Sequence, residues 1–188
     1  MKTLKIILSV LLMVVFAVGC KTTKDATQLT KTTEIKLPFD GNKYQTDKTT
    51  FRSIQSGISE NMSTAKEIAM MKSRSEITYS IKTVVKNVAD IYSNQLNDEN
   101  GLKFEVMSRQ ISKEILTNVK MSDYKVYQDN KNGDFIYWVV VEVKRDDIIT
   151  NIDNRASQEK IKFDKYQYEK IFNKEMEEYQ NSLKPINE

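Results

Sequence analysis

The sequence has no histidine and a single cysteine, Cys20, among its 188 residues. Without histidine the chain lacks the commonest general base and metal ligand, and it has no Ser–His or Cys–His nucleophile pair. Glycine is also scarce, with five in all, and no GxGxxG or GxxxxGK(S/T) pattern occurs that would cradle a phosphate. We therefore expect a protein that is not an enzyme and that has no catalytic residue, no metal site and no cofactor.

The chain also lacks a strong excess of charge of either sign. Its 29 Lys and Arg residues and 26 Asp and Glu residues give a net charge of +3. Removal of Lys2 and Lys5 with the signal peptide described below leaves a net charge of +1. Nucleic-acid binding needs clustered Lys and Arg, so we expect no nucleic-acid partner.

The first twenty residues have the layout of a secretory signal peptide. Lys2 and Lys5 form a short basic start, the run 6–15 is apolar apart from one serine, and the lone cysteine follows at position 20. The apolar run is too short for a comfortable membrane-spanning helix. The pattern therefore predicts export, with residues 1–19 as the signal.

The pair Gly19-Cys20 resembles the lipobox of bacterial lipoproteins. The resemblance implies cleavage between Gly19 and Cys20, a diacylglycerol group on the Cys20 sulfur, and an acyl chain such as palmitate on the new amino terminus. Ala17 departs from the pattern, which prefers leucine there, and an ordinary secreted protein is the alternative. Two or three acyl chains, at about 0.8 kcal/mol per buried methylene, would hold the chain to a lipid bilayer. Lys21 is not the aspartate that retains lipoproteins in the inner membrane of enteric bacteria, so we expect the outer membrane by default.

Composition divides the mature chain into three parts. Residues 20–48 are rich in Thr and Lys, which predicts a flexible tether, with Leu37-Pro38-Phe39 marking where the chain begins to touch the domain. Residues 49–147 carry the apolar periodicity of one α+β domain. Residues 148–188 predict a charged amphipathic helical tail, whose apolar stripe must be covered by this chain or by a partner.

The pattern of the domain begins with a strand over 50–57 that stops at Gly57. A helix is predicted from Thr64 to Ser80, with Thr64 as its N-cap and Glu67 completing a capping box. Residues 81–92 are compatible with helix or strand, and their β-branched content favours a strand. The composition of residues 97–101 predicts a loop, and a second helix should end near residue 118.

The clearest β signal is a hairpin whose arms, Lys120 to Gln128 and Phe135 to Lys144, flank a turn with Asn132-Gly133 at its centre. One face of the second arm is wholly apolar, as expected for an antiparallel sheet covered on one side by helices. The predicted fold class is therefore α+β, an antiparallel sheet with a C-terminal hairpin, amphipathic helices on one face and a long C-terminal helix.

The residues Gly57-Ile58-Ser59, Ala65-Lys66-Glu67-Ile68-Ala69 and Ser73-Arg74-Ser75-Glu76-Ile77 resemble the helix signature of a small bacterial surface-lipoprotein family. That family is typified by the twenty-kilodalton Lpp lipoprotein, and its domain is similar to the amino-terminal domain of flagellar assembly protein T. The resemblance covers about residues 51–145, including a tyrosine-rich hairpin. It implies a lipoprotein of the cell envelope and brings no catalytic residues with it.

Four aromatic residues of the hairpin form a possible interaction surface for other envelope proteins: Tyr124, Tyr127, Tyr137 and Trp138. Core packing explains the same residues equally simply. The tail carries an apolar stripe that would either fold back onto the sheet or pair two copies as a homodimer: Tyr168, Phe172, Met176, Tyr179 and Leu183.

We therefore expect a membrane-anchored accessory module that binds or supports envelope proteins. One alternative is a cell-wall glycan hydrolase that uses Asp146 and Asp147, or Glu105 and Glu114, and needs two carboxyls about 5–10 Å apart in a cleft. The bland explanation of Asp146-Asp147 is acids at the positive end of a helix. Another alternative is a carrier of a small apolar ligand or peptide, which needs an apolar pocket of about 300 Å³ or more.

Overall fold

Three antiparallel strands form the central sheet of the structure, a computed structural model that describes residues 35–96, 99–115 and 119–184. Strand β1 is Thr50–Ser59, β2 is Lys120–Gln128 and β3 is Phe135–Lys144, in the spatial order β1-β3-β2. The arms of the predicted hairpin are confirmed. The predicted signal, the cleavage at Gly19 and the lipidation at Cys20 lie outside the described residues.

Glycine and a short polar loop close the hairpin. Gly133 adopts a positive φ of 81°, and its N–H donates to the Asp129 carbonyl over 2.8 Å. The Asp129 side chain also accepts the N–H of Lys131 over 2.8 Å. On β2 a bulge between Met121 and Asp123 shifts the register against β3.

Helix α1, Met62–Leu96, is twice as long as predicted, because residues 81–92 are helical. The prediction of a strand there was wrong. Its β-branched residues recur at a spacing of three and four, which places them on one buried helical face: Ile77, Ile81, Val84, Val88. Thr64 is not the N-cap either, because the Asn61 side chain accepts the N–H groups of Ser63 and Thr64 over 2.9 and 3.3 Å.

Three further helices complete the fold. Helix α2 is Glu99–Ile115, so residues 99–101 of the predicted loop are helical, while residues 97–98 and 116–118 lie outside the described part. Helix α3 is Arg145–Gln158, with Asp146 and Asp147 in its first turn, as the charge pattern predicted. Helix α4 is Lys165–Ser182 and is capped by Asp164, which accepts the N–H of Gln167 over 3.0 Å.

The predicted tail, 148–188, is not a separate unit. Residues of α3 and α4 share one buried core with α1, α2 and the sheet. The tail stripe folds back as expected, but onto α1 more than onto the sheet, with Tyr168, Phe172 and Met176 fully buried and Leu183 exposed. A homodimer through this stripe would have to displace α1.

The predicted tether, 20–48, extends too far into the domain. The compact unit begins at Lys36, and Phe39 and Thr46 are buried. A short 3-10 turn, Asn42–Tyr44, follows, and the hydroxyl of Tyr44 donates to the Asp123 side chain over 2.9 Å. Leu37-Pro38-Phe39 marks the start of this docked segment in the sequence, whereas the low apolar content of residues 40–48 conceals the rest of it. Residues 20–34 lie outside the described part.

Candidate interaction surface

The sheet has two unequal faces, which determines where the predicted aromatic residues lie. Odd-numbered residues of β1 and β3 face α1, since Ser53 and Gln55 both donate to Glu76 of α1 over 2.5 and 2.8 Å. We call this the helix side. Even-numbered residues of these two strands point to the opposite face, which we call the outer face.

The four predicted aromatic residues do not form one platform. Tyr137 and Trp138 are consecutive in β3 and therefore point to opposite faces. Tyr124 joins Tyr137 on the helix side, whereas Tyr127 joins Trp138 on the outer face, as the register of β2 against β3 requires. The prediction of a single aromatic surface is wrong in this respect.

On the helix side the two tyrosine rings stack. Their centroids lie 5.5 Å apart with the planes inclined by 13°. Tyr137 is buried against Ala65 and Ala69 of α1, whereas Tyr124 is 54% exposed beyond the cover of that helix. Burial, together with the nearby Tyr124 hydroxyl, raises the pKa of Tyr137. Tyr137 is thus a core residue, and Tyr124 is its exposed neighbour.

On the outer face, apolar side chains lie in a row across all three strands. Ile58 of β1 pairs with Ile136 of β3, and Ile136 pairs with Tyr127 of β2. Trp138 lies on the same face, two residues beyond Ile136 in β3. Ile58 and Tyr127 are 56% and 46% exposed. We call these four residues the outer-face patch.

The segment before β1 covers the neighbouring part of the outer face. Phe39 is only 3% exposed, and the Lys125 ammonium lies 4.8 Å from the centre of its ring. Val140, which follows Trp138 on this face, is fully buried. The cover therefore stops short of the outer-face patch. The sequence pattern placed Phe39 where the chain begins to touch the domain, but it did not identify Ile58 or Ile136. Their pairing requires β1 to lie beside β3, which the hairpin register does not indicate.

A charged group fixes the segment to the start of β1. The Asp47 carboxylate accepts hydrogen bonds from Arg52 over 2.6 Å and from the N–H and hydroxyl of Thr49 over 2.7 Å. Burial alone would raise the pKa of Asp47, but the hydrogen bonds and charge of Arg52 and the Thr49 contacts outweigh it and lower this pKa to about 2. Glu142 also lies 3.6 Å from Arg52, on its other side.

The carboxylates of the alternative hydrolase function are not paired with one another. Glu105 binds Arg109 and Glu114 binds Arg155. They are nine residues apart in α2, hence about 13.5 Å along the axis and on opposite sides. Asp146 is exposed and binds Arg145 over 2.7 Å.

Asp147 does line a cleft of about 680 Å³ between β3 and α3, with Glu142, Lys120 and Lys144. Neither carboxyl is buried in the apolar setting that keeps a glycosidase acid protonated. Two other clefts of the described part, of about 590 and 220 Å³, are lined mainly by polar residues. These three clefts do not provide the apolar helix–sheet pocket that a carrier needs.

Within the described residues, no group of three or more Asp, Glu, His or Cys side chains could hold a metal ion. None of the helices found there is long and apolar enough to cross a membrane. Comparisons of this chain with protein-family models, with curated proteins and with solved structures found no match. The likeness of residues 51–145 to the surface-lipoprotein family therefore stays a resemblance.

Proposed function

We propose that the protein is exported, lipidated at Cys20 and held in the cell envelope, by default at the outer membrane. There it acts as a non-enzymatic module that binds other envelope proteins through the outer-face patch. The lipobox-like pair Gly19-Cys20 after an apolar run supports the anchoring. The compact unit that begins at Lys36 would be the body that the anchor carries.

The outer-face patch is the observation that carries the binding role. Its residues are apolar or aromatic and adjacent across three strands; Ile58 and Tyr127 are exposed, and Ile136 and Trp138 are half-buried. Exposed apolar patches of this kind mark interaction sites, and Trp and Tyr are enriched where proteins bind one another. The docked segment 36–46 ends its cover before the patch, so a partner would meet it directly.

The anchoring is tested by the intact mass of the protein from the membrane fraction. We expect a chain of residues 20–188 carrying two or three acyl chains, and loss of both the acylation and the membrane fraction in Cys20→Ala. Thr23→Ala, which lies beside the motif but outside it, serves as the matched control and should behave as the wild type. An unmodified chain free in the periplasm or medium would contradict the proposal.

The binding role is tested by photo-crosslinking in intact cells from a photoreactive residue placed at Ile58. The control carries the same residue at Tyr166, which is 78% exposed on α4 and far from the patch in sequence. We expect a discrete envelope-protein adduct from position 58 that is missing from position 166 and that disappears with Ile136→Asp. Equal adducts from both positions, or none from position 58, would count against the patch.

A further inference from the structure

The two edges of the sheet differ in how the chain treats them. In an antiparallel sheet the main-chain groups of alternate residues point to opposite edges. On β1, Arg52 donates its N–H to the Thr46 hydroxyl over 2.9 Å, and this hydroxyl donates to the Arg52 carbonyl over 3.1 Å. The carbonyl of Ser56 accepts a hydrogen bond from the Lys72 ammonium over 3.2 Å. Side chains of the same chain thus cap the β1 edge at Arg52 and Ser56.

The β2 edge is open over most of its length. The same alternation, carried across β3 by the register, points the main-chain groups of Tyr124, Val126 and Gln128 away from the sheet. Among the described residues, a single side chain caps them, because Asp123 accepts the N–H of Tyr124 over 2.8 Å. Tyr124 and Val126 are also exposed on the helix side, where α1 covers β1 and β3 but stops before β2.

We infer that the β2 edge binds a second copy of this chain. The two β2 strands run antiparallel about a two-fold axis at Tyr124, so that two three-stranded sheets become one of six strands. Both α1 helices then lie on the same side of the joined sheet. On the helix side, Tyr124 of each copy lies opposite Tyr124 of the other and diagonal to its Val126, and these side chains face water in the single chain.

Charge selects this register from its neighbours. With Tyr124 at the centre, Asp123 of each copy lies directly opposite Lys125 of the other, so the dimer has two such pairs of opposite charge. A register centred on Lys125 would place the two Lys125 side chains opposite each other. One centred on Val126 would set Asp123 opposite Asp129. Like charges in directly opposite positions destabilise a strand pair, so the first register is favoured over the other two.

The Asp123 cap exchanges its partner when the strands pair. In the single chain its carboxylate holds the Tyr124 N–H and accepts the Tyr44 hydroxyl over 2.9 Å. In the pair the Tyr124 N–H donates to the Tyr124 carbonyl of the second copy, and the carboxylate turns to the opposing Lys125. The Asp123 side chain therefore makes the pairing of the two strands reversible and does not block it. Because Asp123–Lys125 ion pairs contribute to this pairing, added salt should weaken the dimer.

A cysteine scan tests the register directly. All variants carry Cys20→Ala and begin at residue 20, which keeps the whole core described above. Tyr124→Cys should oxidise to a disulfide-linked dimer, since directly opposite residues of a hydrogen-bonded pair have Cα atoms about 5.5 Å apart. Gln128→Cys is the matched control, because its two copies would lie about 27 Å apart along the strands. Equal crosslinking at both positions, or crosslinking at position 128 alone, would overturn the register.

Sedimentation from about 1 µM to about 1 mM tests the association itself. We expect a concentration-dependent dimer whose Kd rises at least tenfold in Lys125→Asp, and also in Asp123→Lys. The double exchange, Asp123→Lys with Lys125→Asp, should restore it, and circular dichroism checks that each variant is folded. A wild type that stays monomeric throughout this range would refute the inference, as would a double exchange that fails to recover the dimer. The pairing does not depend on lipidation, so a failed anchoring test leaves it standing.

Discussion

Replacing Gly57 by alanine should damage the contact between β1 and α1. A Cβ at this position would lie 2.1 Å from the Ala65 carbonyl oxygen and 2.7 Å from the Ala69 nitrogen. Both obstacles are main-chain atoms in the first turns of α1, and they cannot move aside as the end of a flexible side chain could. Gly57 does not adopt a positive φ, so the requirement for glycine here is one of space.

The loss of stability expected in Gly57→Ala follows from how far β1 and α1 would have to separate to accommodate the added Cβ. Relieving a 2.1 Å contact to the 3.0 Å that real Cβ atoms respect would separate β1 and α1 by about 1 Å. A gap of that width forfeits a quarter to a half of the dispersion energy of the surfaces that part. Overpacking of this kind costs about 1–3 kcal/mol or more, and the entropy lost by the unfolded chain returns at most about 1 kcal/mol. Because both obstacles are main-chain atoms, the cost should lie at the upper end of that range. We therefore expect the free energy of unfolding to fall by about 2–3 kcal/mol, and Tm by about 6–9 °C.

Urea denaturation followed by far-ultraviolet circular dichroism and by the fluorescence of the one tryptophan, Trp138, would measure the change. Gly41→Ala is the matched control, because Gly41 has ordinary extended angles and a Cβ added there would meet no atom within 4 Å. This control should stay within about 0.5 kcal/mol of the wild type. A loss below about 1 kcal/mol in Gly57→Ala, or equal effects of the two substitutions, would refute the close approach.

Five further substitutions test three other parts of the structure. Asp47→Asn should cost about 0.5–1 kcal/mol at pH 7, because the partly exposed ion pair is screened by water. Since the folded state lowers the pKa of Asp47 from 3.8 to about 2, this difference from the wild type should shrink as the pH falls from about 4 to 2 in acid titrations of stability. Tyr168→Phe should leave stability unchanged or raise it by up to about 1 kcal/mol, because the buried hydroxyl has no hydrogen-bond partner among the described residues. Tyr92→Phe, whose hydroxyl accepts a main-chain N–H over 2.7 Å, should instead lose about 1 kcal/mol in the same urea assay. Asn61→Ala should cost about 1 kcal/mol in thermal unfolding, and Thr64→Ala should cost less than half of that, whereas equal losses would restore Thr64 as the cap.

The hairpin was predictable because its signals are local. Asn132-Gly133 supplies the positive φ of the turn, and the arms alternate on either side of it. The same alternation contains the reason why the aromatic platform fails, since the consecutive residues Tyr137 and Trp138 cannot share a face. What the sequence could not provide was the position of β1 beside β3, and with it the place of Ile58 in the outer-face patch.

Residues 81–92 were mispredicted because the intrinsic preference of Val and Ile for strands is weaker than the stabilisation they gain from burial in the helix–helix core. Valine and isoleucine favour strands by at most about 1 kcal/mol, and that preference depends on context. In α1 most apolar residues from 81 onward are buried against α2, α4 and the core, and Ile91 is the exposed exception. The sequence did not indicate the end of α3 at Gln158 either. Lys160 takes the left-handed conformation just after it, with φ of 55°, at a place where a glycine would have signalled the helix end.

The outer-face patch and the open β2 edge have a common origin in the small size of the sheet. One strand of three is flanked on both sides, so two edges and the face opposite α1 remain to be covered. The segment before β1 supplies Thr46 for one edge and Phe39 for the middle of that face. It crosses the sheet at the end away from the hairpin turn, and it therefore leaves both the other edge and the apolar row beside the turn to water. Since burial of a side chain as large as isoleucine contributes about 1.5–3 kcal/mol, these uncovered residues are the ones from which an incoming chain would gain most.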